Sequence, residues 1–276
     1  VFGVISAGGS LGAFFGSTVA RYFSTEICGN SSISDMGPIS LIIFSIGCLT
    51  IAILLSRSLK PRQTLKIDQK DEVIGGSSLE AFKNIIRKIP VRYMAFYMLL
   101  WTALSTAAWM ISLEIVQNWS SDPCERTAFF AQIEQIVTPL TLLFQVFFTS
   151  FLLRTVGILP ILTIYGVFFL IAFGAYANYP EITTVLVLTV VIRVFEYSIN
   201  KPTRETVFTS LKKQDRYKST VMMDTLLARS GDVAGSWFVR ALIGLGLVGG
   251  SIAYAALPIA VLLSIVGYQT AKSFKV

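Results

Sequence analysis

Residues 193–232 read RVFEYSINKPTRETVFTSLKKQDRYKSTVMMDTLLARSGD. Two apolar segments meet there across a short basic loop, and each carries charges in its interior. A charged side chain inside a hydrophobic segment is costly, and by default it marks a functional position. The rest of the chain is read outward from this stretch.

The 276 residues are 54% hydrophobic and 14% charged. Soluble domains carry about 25% charged residues, so the composition predicts an integral membrane protein. The net charge of +7 does not indicate a nucleic-acid partner, because the basic residues gather in alternate loops, which is a topology signal. Histidine is absent, which excludes His metal sites and His proton relays. Cys28, Cys48 and Cys124 form no CxxC pair. A Cys28–Cys124 disulfide stays open, with unpaired thiols the expectation. The chain opens on Val1 inside an apolar helix with no basic n-region, so 1–23 reads as a helix of a longer chain, not a signal peptide.

Eight apolar segments are expected, at roughly 1–23, 39–56, 91–116, 126–153, 158–177, 182–200, 220–243 and 251–270. Each can cross about 30 Å of hydrocarbon at ~1.5 Å per residue. If they alternate in direction, eighteen of the 23 Lys and Arg fall on one side. That asymmetry puts both ends in the cytoplasm. The one long connection, 57–90, is polar and contains Gly75-Gly76-Ser77-Ser78, a flexible composition. It separates 1–56, read as the last two helices of an N-terminal bundle, from 91–276, read as a six-helix C-terminal bundle. The second, fifth and eighth segments contain no charge. A period of three helices is what nested inverted repeats leave when one helix of each triplet faces lipid.

Polar stripes mark the inward faces. Thr102, Ser105, Trp109 and Ser112 share one face, and so do Glu134, Thr138, Thr141 and Gln145. Arg193, Glu196 and Asn200 share another, and Asp224 and Asp232 a fourth. Counting the helical rise places Arg193, Arg229, Asp232 and Glu134 within ~12–18 Å of the segment ends, near the midplane, where secondary transporters bind substrate. Arginines there suit an anion, because the guanidinium fork matches phosphate and carboxylate. Arg193, Arg229, Glu134, Glu196, Asp232 and Asn200 are therefore the candidate substrate-binding residues. Asp224, Arg240, Arg204, Trp109 and Gln145 are candidate gate or secondary residues. A bland account stands beside this one: Arg193 with Glu196, and Arg229 with Asp232, are i,i+3 pairs that can neutralise themselves within a helix. The basic run 201–218 is chiefly orientation signal, with Val207, Phe208 and Leu211 open to a place on the membrane surface.

Three motif matches fail on context. Gly244–Gly249 fits GxGxxG, but no strand precedes it. Gly8, Gly12 and Gly16 with Ala20 read as close helix packing, not a phosphate loop. Asn30-Ser-Ser and Asn118-Trp-Ser are glycosylation sequons with meaning only in a eukaryotic secretory setting. No nucleophile–base set occurs, so no enzyme is expected, and no cofactor or metal.

The segments VFGVISAGGSLGAFFGS (1–17), RTAFFAQIEQIVTPLTLLFQ (126–145), NKPTRETVFTSL (200–211) and DRYKSTVMMDTLLARSGDVAGSW (215–237) resemble bacterial members of the ATP:ADP antiporter family. Asn200–Glu205 and Tyr217–Asp232 are the more specific parts. The resemblance implies an all-α, major-facilitator-type helical bundle, with eight helices here of an expected twelve. It also implies a carrier in the bacterial inner membrane that moves a nucleotide or similar phosphorylated anion by alternating access. The site residues above are read from charge and depth, not from the resemblance. The alternatives are a facilitator-type permease for another solute, such as a drug or organic anion, and a non-transporting membrane subunit.

Overall fold

A computed structural model describes residues 2–27, 36–58, 85–211 and 213–274. Among these residues all regular structure is helical. Six helical stretches are long and apolar enough to cross a membrane: 39–58, 89–119, 123–155, 158–178, 182–209 and 250–273. The two other expected segments are also helical. α1 is Phe2–Tyr22. The segment at 220–243 lies within a helical run from 213 to 244, interrupted by a π-turn, that carries Asp224, Arg229, Asp232 and Arg240.

The chain divides into two compact units, residues 1–75 with 122–135, and residues 76–121 with 136–276. The sequence alone assigns 122–135 to the C-terminal bundle. Most of the polar linker, 59–84, lies outside the described residues, as do Cys28 and the Asn30 sequon.

The first unit contains α1, α2 (Met36–Ser58) and the start of α4 (Pro123–Leu143). Arg21 Nη1 donates to Gln135 Oε1 at 2.8 Å, and Gln135 Nε2 donates to Thr18 Oγ1 at 3.3 Å, tying α1 to α4. Among the described residues a Cβ at Gly12 or Gly16 would meet nothing within 4 Å, so the close packing expected through these glycines of α1 is not made there.

The second unit is built on α3 (Ile89–Trp119), α6 (Ile158–Asn178), α7 (Ile182–Phe195), α10 (Ala228–Gly244) and α11 (Gly250–Ser273). Three π-turns join shorter pieces into longer runs. Phe144–Phe148 links α4 to α5 (Thr149–Thr155), Glu196–Asn200 links α7 to α8 (Lys201–Thr209), and Met223–Leu227 links α9 (Lys213–Met222) to α10. The "basic loop" at 201–218 is thus almost wholly helical. Val207 and Phe208 are buried rather than laid on a membrane surface, because the run from α7 continues through the π-turn into the bundle. Lys88, just ahead of α3, pairs with Asp215 of α9 at 2.5 Å.

Glycine sets where these helices touch. On α6 and α11 a Cβ at Gly166 would fall 2.7 Å from the Ala260 carbonyl oxygen, and one at Gly250 would fall 2.6 Å from that of Ala177. Gly267 lies against Leu162 in the same way. On α3 and α10 a Cβ at Gly231 would fall 2.7 Å from the Leu99 carbonyl oxygen, and Gly235 lies against Ala103. Helices in lipid associate largely through such close backbone packing. Residue numbers rise together along the α3–α10 seam and in opposite senses along α6–α11. Those are the directions that alternate crossing requires. Gly246 and Gly249, both at positive φ, form the turn between α10 and α11, so the GxGxxG match is a helix-to-helix turn.

Cys124 is disulfide-bonded, which corrects the expectation of unpaired thiols at that position, while Cys48 is free and exposed. The expected labelling follows directly. In unreduced, denatured protein the Cys48 peptide reacts with a maleimide and the Cys124 peptide does not, whereas after reduction both do. Peptide mass spectrometry checks this, and labelling of Cys124 without reductant would rule the bond out.

Candidate functional site

The α7–α8 run contains Pro202, which has no N–H. The carbonyl of Ser198 therefore loses its α-helical donor, and that of Tyr197 loses the donor that π-helical spacing would give it. Both are satisfied from the opposite π-turn region. Gln145 Nε2 donates to the Tyr197 carbonyl at 3.0 Å, and Thr149 Oγ1 donates to that of Ser198 at 2.6 Å. A buried carbonyl such as that of Ser198 needs such a partner. Gln145, a candidate gate residue, therefore braces one helix against another.

The widened turn carries a buried polar cluster. Glu196 and Arg204, 8% and 7% exposed, pair at 2.7 Å through Oε1 and Nη2. Asn200 Nδ2 donates to Glu196 Oε2 at 2.6 Å, and Tyr97 Oη donates to Asn200 Oδ1 at 3.0 Å. Both carboxylate oxygens are thereby engaged. Arg204 also lies 4.2 Å from the centre of the Trp101 ring and touches the Met98 sulfur. The sequence reading offered Arg193 as the neutralising partner of Glu196; Arg204 holds that place.

Beside the cluster lies a chamber of about 190 Å³ between α3, α6 and α7. Trp101, Ser105, Trp109 and Ser112 form its α3 wall, Tyr165, Phe169 and Tyr176 its α6 wall, and Thr189 and Arg193 of α7 with Glu196 and Tyr197 of the following π-turn its third wall. Three of the four stripe residues expected on α3 line it. Thr102 does not: it is buried beside Gly231 and donates to the Met98 carbonyl. Arg193 is half-buried, with its guanidinium 5.8 Å from the Tyr197 ring. Trp109 is 43% exposed. A larger cavity of about 540 Å³ shares the Tyr176 wall and carries Glu114 and Glu181.

Of the candidate residues, the structure brings Arg193, Glu196, Asn200, Arg204 and Trp109 to this region. Arg229 and Asp232 form a separate pair at 3.1 Å on α10, with the Arg229 side chain 82% exposed. Thr106 Oγ1 donates to Asp232 Oδ1 at 2.9 Å, which fixes that pair to α3. Asp224 and Arg240 are exposed on the same run, and Glu134 is half-buried in the first unit. Among the described residues no group of three His, Cys, Asp or Glu could hold a metal.

Tyr97, Trp101 and Tyr165 were missed. The first two continue the α3 stripe toward its start, at steps of four from Ser105, so extending that stripe would have found them. Nothing in the α6 sequence singles out Tyr165. Chemically the chamber offers donors and aromatic faces, while its carboxylate is already paired with Arg204 and Asn200. Compared with known protein families, curated proteins and solved structures, the chain matches none.

Proposed function

We propose that the protein is a secondary transporter that carries a nucleotide or a similar phosphorylated anion across the membrane by alternating access. The observation that carries this reading is the chamber, which gathers ionisable and aromatic side chains inside a bundle of helices apolar enough to span a bilayer. Ionisable groups at such positions are expensive and are retained where they handle a solute or an ion. Arg193 contributes a guanidinium suited to phosphate oxygens, and Trp109 and Tyr197 contribute aromatic faces on which a base can stack.

A major-facilitator-type bundle with eight crossings of a full twelve accommodates the six apolar stretches together with α1 and the charged run 213–244. The antiparallel α6–α11 and parallel α3–α10 seams support that order. The resemblance to the ATP:ADP antiporter family belongs to the same reading. So does a bacterial inner-membrane location with both ends in the cytoplasm. The bonded Cys124 supports it, since disulfides persist in oxidising compartments and an orientation with both ends in the cytoplasm would put Cys124 on the outer side. The chamber's volume favours a second reading, a smaller organic anion, because drug-sized ligands occupy ~300 Å³ or more.

The test is uptake of labelled ATP by cells expressing the full-length protein. Arg193→Ala is expected to lower uptake about tenfold or more, the size expected when a charged hydrogen bond of about 1.5–3 kcal/mol is lost. Unchanged uptake by a variant present in the membrane at normal level would remove Arg193 from the site. No ATP uptake, but exchange of a smaller anion, would select the second reading.

A further inference from the structure

Three polar atoms around the chamber are buried and make no hydrogen bond among the described residues: Trp101 Nε1, Tyr165 Oη and Arg204 Nε. Two of them belong to side chains that line the chamber. Tyr165 is 2% exposed. Its hydroxyl has Glu196 and Trp101 as neighbours, but neither is placed with hydrogen-bond geometry. A buried donor left unsatisfied is costly, so such atoms gathered at one cavity call for an acceptor that enters it. The indole N–H can only donate. The Arg204 guanidinium over the same ring draws on its π electrons and strengthens that donor.

The carboxylate beside the chamber already accepts from Arg204 and Asn200, one donor on each oxygen, and neither chamber donor meets its remaining lone pairs with hydrogen-bond geometry. Arg193 and the hydroxyls of Ser105, Ser112 and Thr189 complete the wall. The adjoining cavity has the opposite character. Glu114 and Glu181 on its wall can accept from sugar hydroxyls or an amino group, and its volume is nearly three times larger.

We propose that Trp101 and Tyr165 form a donor pair that receives the phosphate oxygens of the transported solute, with the solute's hydroxylated, bulkier end in the adjoining cavity across Tyr176. The proposal rests on the transporter reading above and adds the residues and the orientation. It reconciles an anionic solute with an acidic outer cavity: the anion is held at the donors, and the carboxylates meet the neutral end.

The test is titration calorimetry on the full chain purified in detergent, with ATP, inorganic pyrophosphate and adenosine as separate probes. Wild type is expected to bind ATP and pyrophosphate, and Trp101→Phe and Tyr165→Phe each to weaken both about fivefold to tenfold, with adenosine binding unchanged. If both variants melt like wild type and bind ATP and pyrophosphate with wild-type Kd, the donor pair is wrong while the proposed function stands. If wild type binds adenosine but not pyrophosphate, the orientation is overturned. If wild type binds none of the three, the nucleotide reading fails and takes this one with it. Should Trp101→Phe fail to fold, Tyr165→Phe decides alone, since it removes a single oxygen atom.

Discussion

Arg204→Ala is expected to destabilise the protein by about 3–5 kcal/mol, the usual result of removing one partner of a buried ion pair. Glu196 would keep its Asn200 hydrogen bond but would hold an uncompensated negative charge in a site where it is 8% exposed. The loss also removes the cation above Trp101. Neutralising both partners, as Glu196→Gln with Arg204→Met, leaves no buried charge. Replacing a whole buried pair by neutral groups of similar volume is often close to neutral. The double variant should therefore be more stable than Arg204→Ala alone. Melting in detergent measures the difference, roughly 10 °C at ~2–4 °C per kcal/mol for a chain of this size. Equal melting points for the single and double variants would show that the pair is not electrostatically coupled.

The apolar runs were legible because length and hydropathy are local properties. All eight expected segments are helical, and six of them are long, apolar stretches. The α3 stripe was legible for a similar reason: Ser105, Trp109 and Ser112 follow regular helical spacing, and they do face the chamber. The Glu196–Arg204 pair was not legible. Eight residues at ~100° each leave two side chains about 80° apart in a regular helix, so the i,i+3 neighbour Arg193 looked like the natural partner. The π-turn 196–200 absorbs one extra residue. The pair then behaves as i,i+7, about 20° from alignment, and Arg204 reaches back to Glu196. Pro202 was the available signal, since it leaves carbonyls in need of donors from another helix. Gln145 and Thr149 supply them, but they lie more than forty residues away, and only the packed structure pairs them. The charges of 213–244 group with Arg193 by depth, which the helical rise gives, but depth does not fix the rotation of one helix against another. The rotation of α10 against α3, fixed by Gly231 and Gly235, places Arg229 and Asp232 away from the chamber walls.

Gly235→Leu should separate α3 from α10 and be among the most damaging single changes in the second unit. A side chain there meets the Ala103 backbone, and one turn earlier Gly231 meets the Leu99 carbonyl oxygen at 2.7 Å from where its Cβ would lie. Neither obstacle is the end of a flexible side chain, so neither can swing aside. The helices must move apart, with loss of the Thr106–Asp232 hydrogen bond and displacement of the α3 wall that carries Trp101 and Trp109. Overpacking a close contact costs about 1–3 kcal/mol or more, and the lost bond adds about 1 kcal/mol. Gly174→Ala on α6 is the matched control, because a Cβ there meets nothing within 4 Å among the described residues. Replacing a mid-helix glycine where space is open should stabilise by about 0.5–1 kcal/mol. Fluorescence-detected size exclusion after a temperature ramp should therefore show Gly235→Leu lost from the monodisperse peak well below wild type, and Gly174→Ala retained at or above it. A wild-type melting profile for Gly235→Leu would mean that α3 and α10 do not touch through this face.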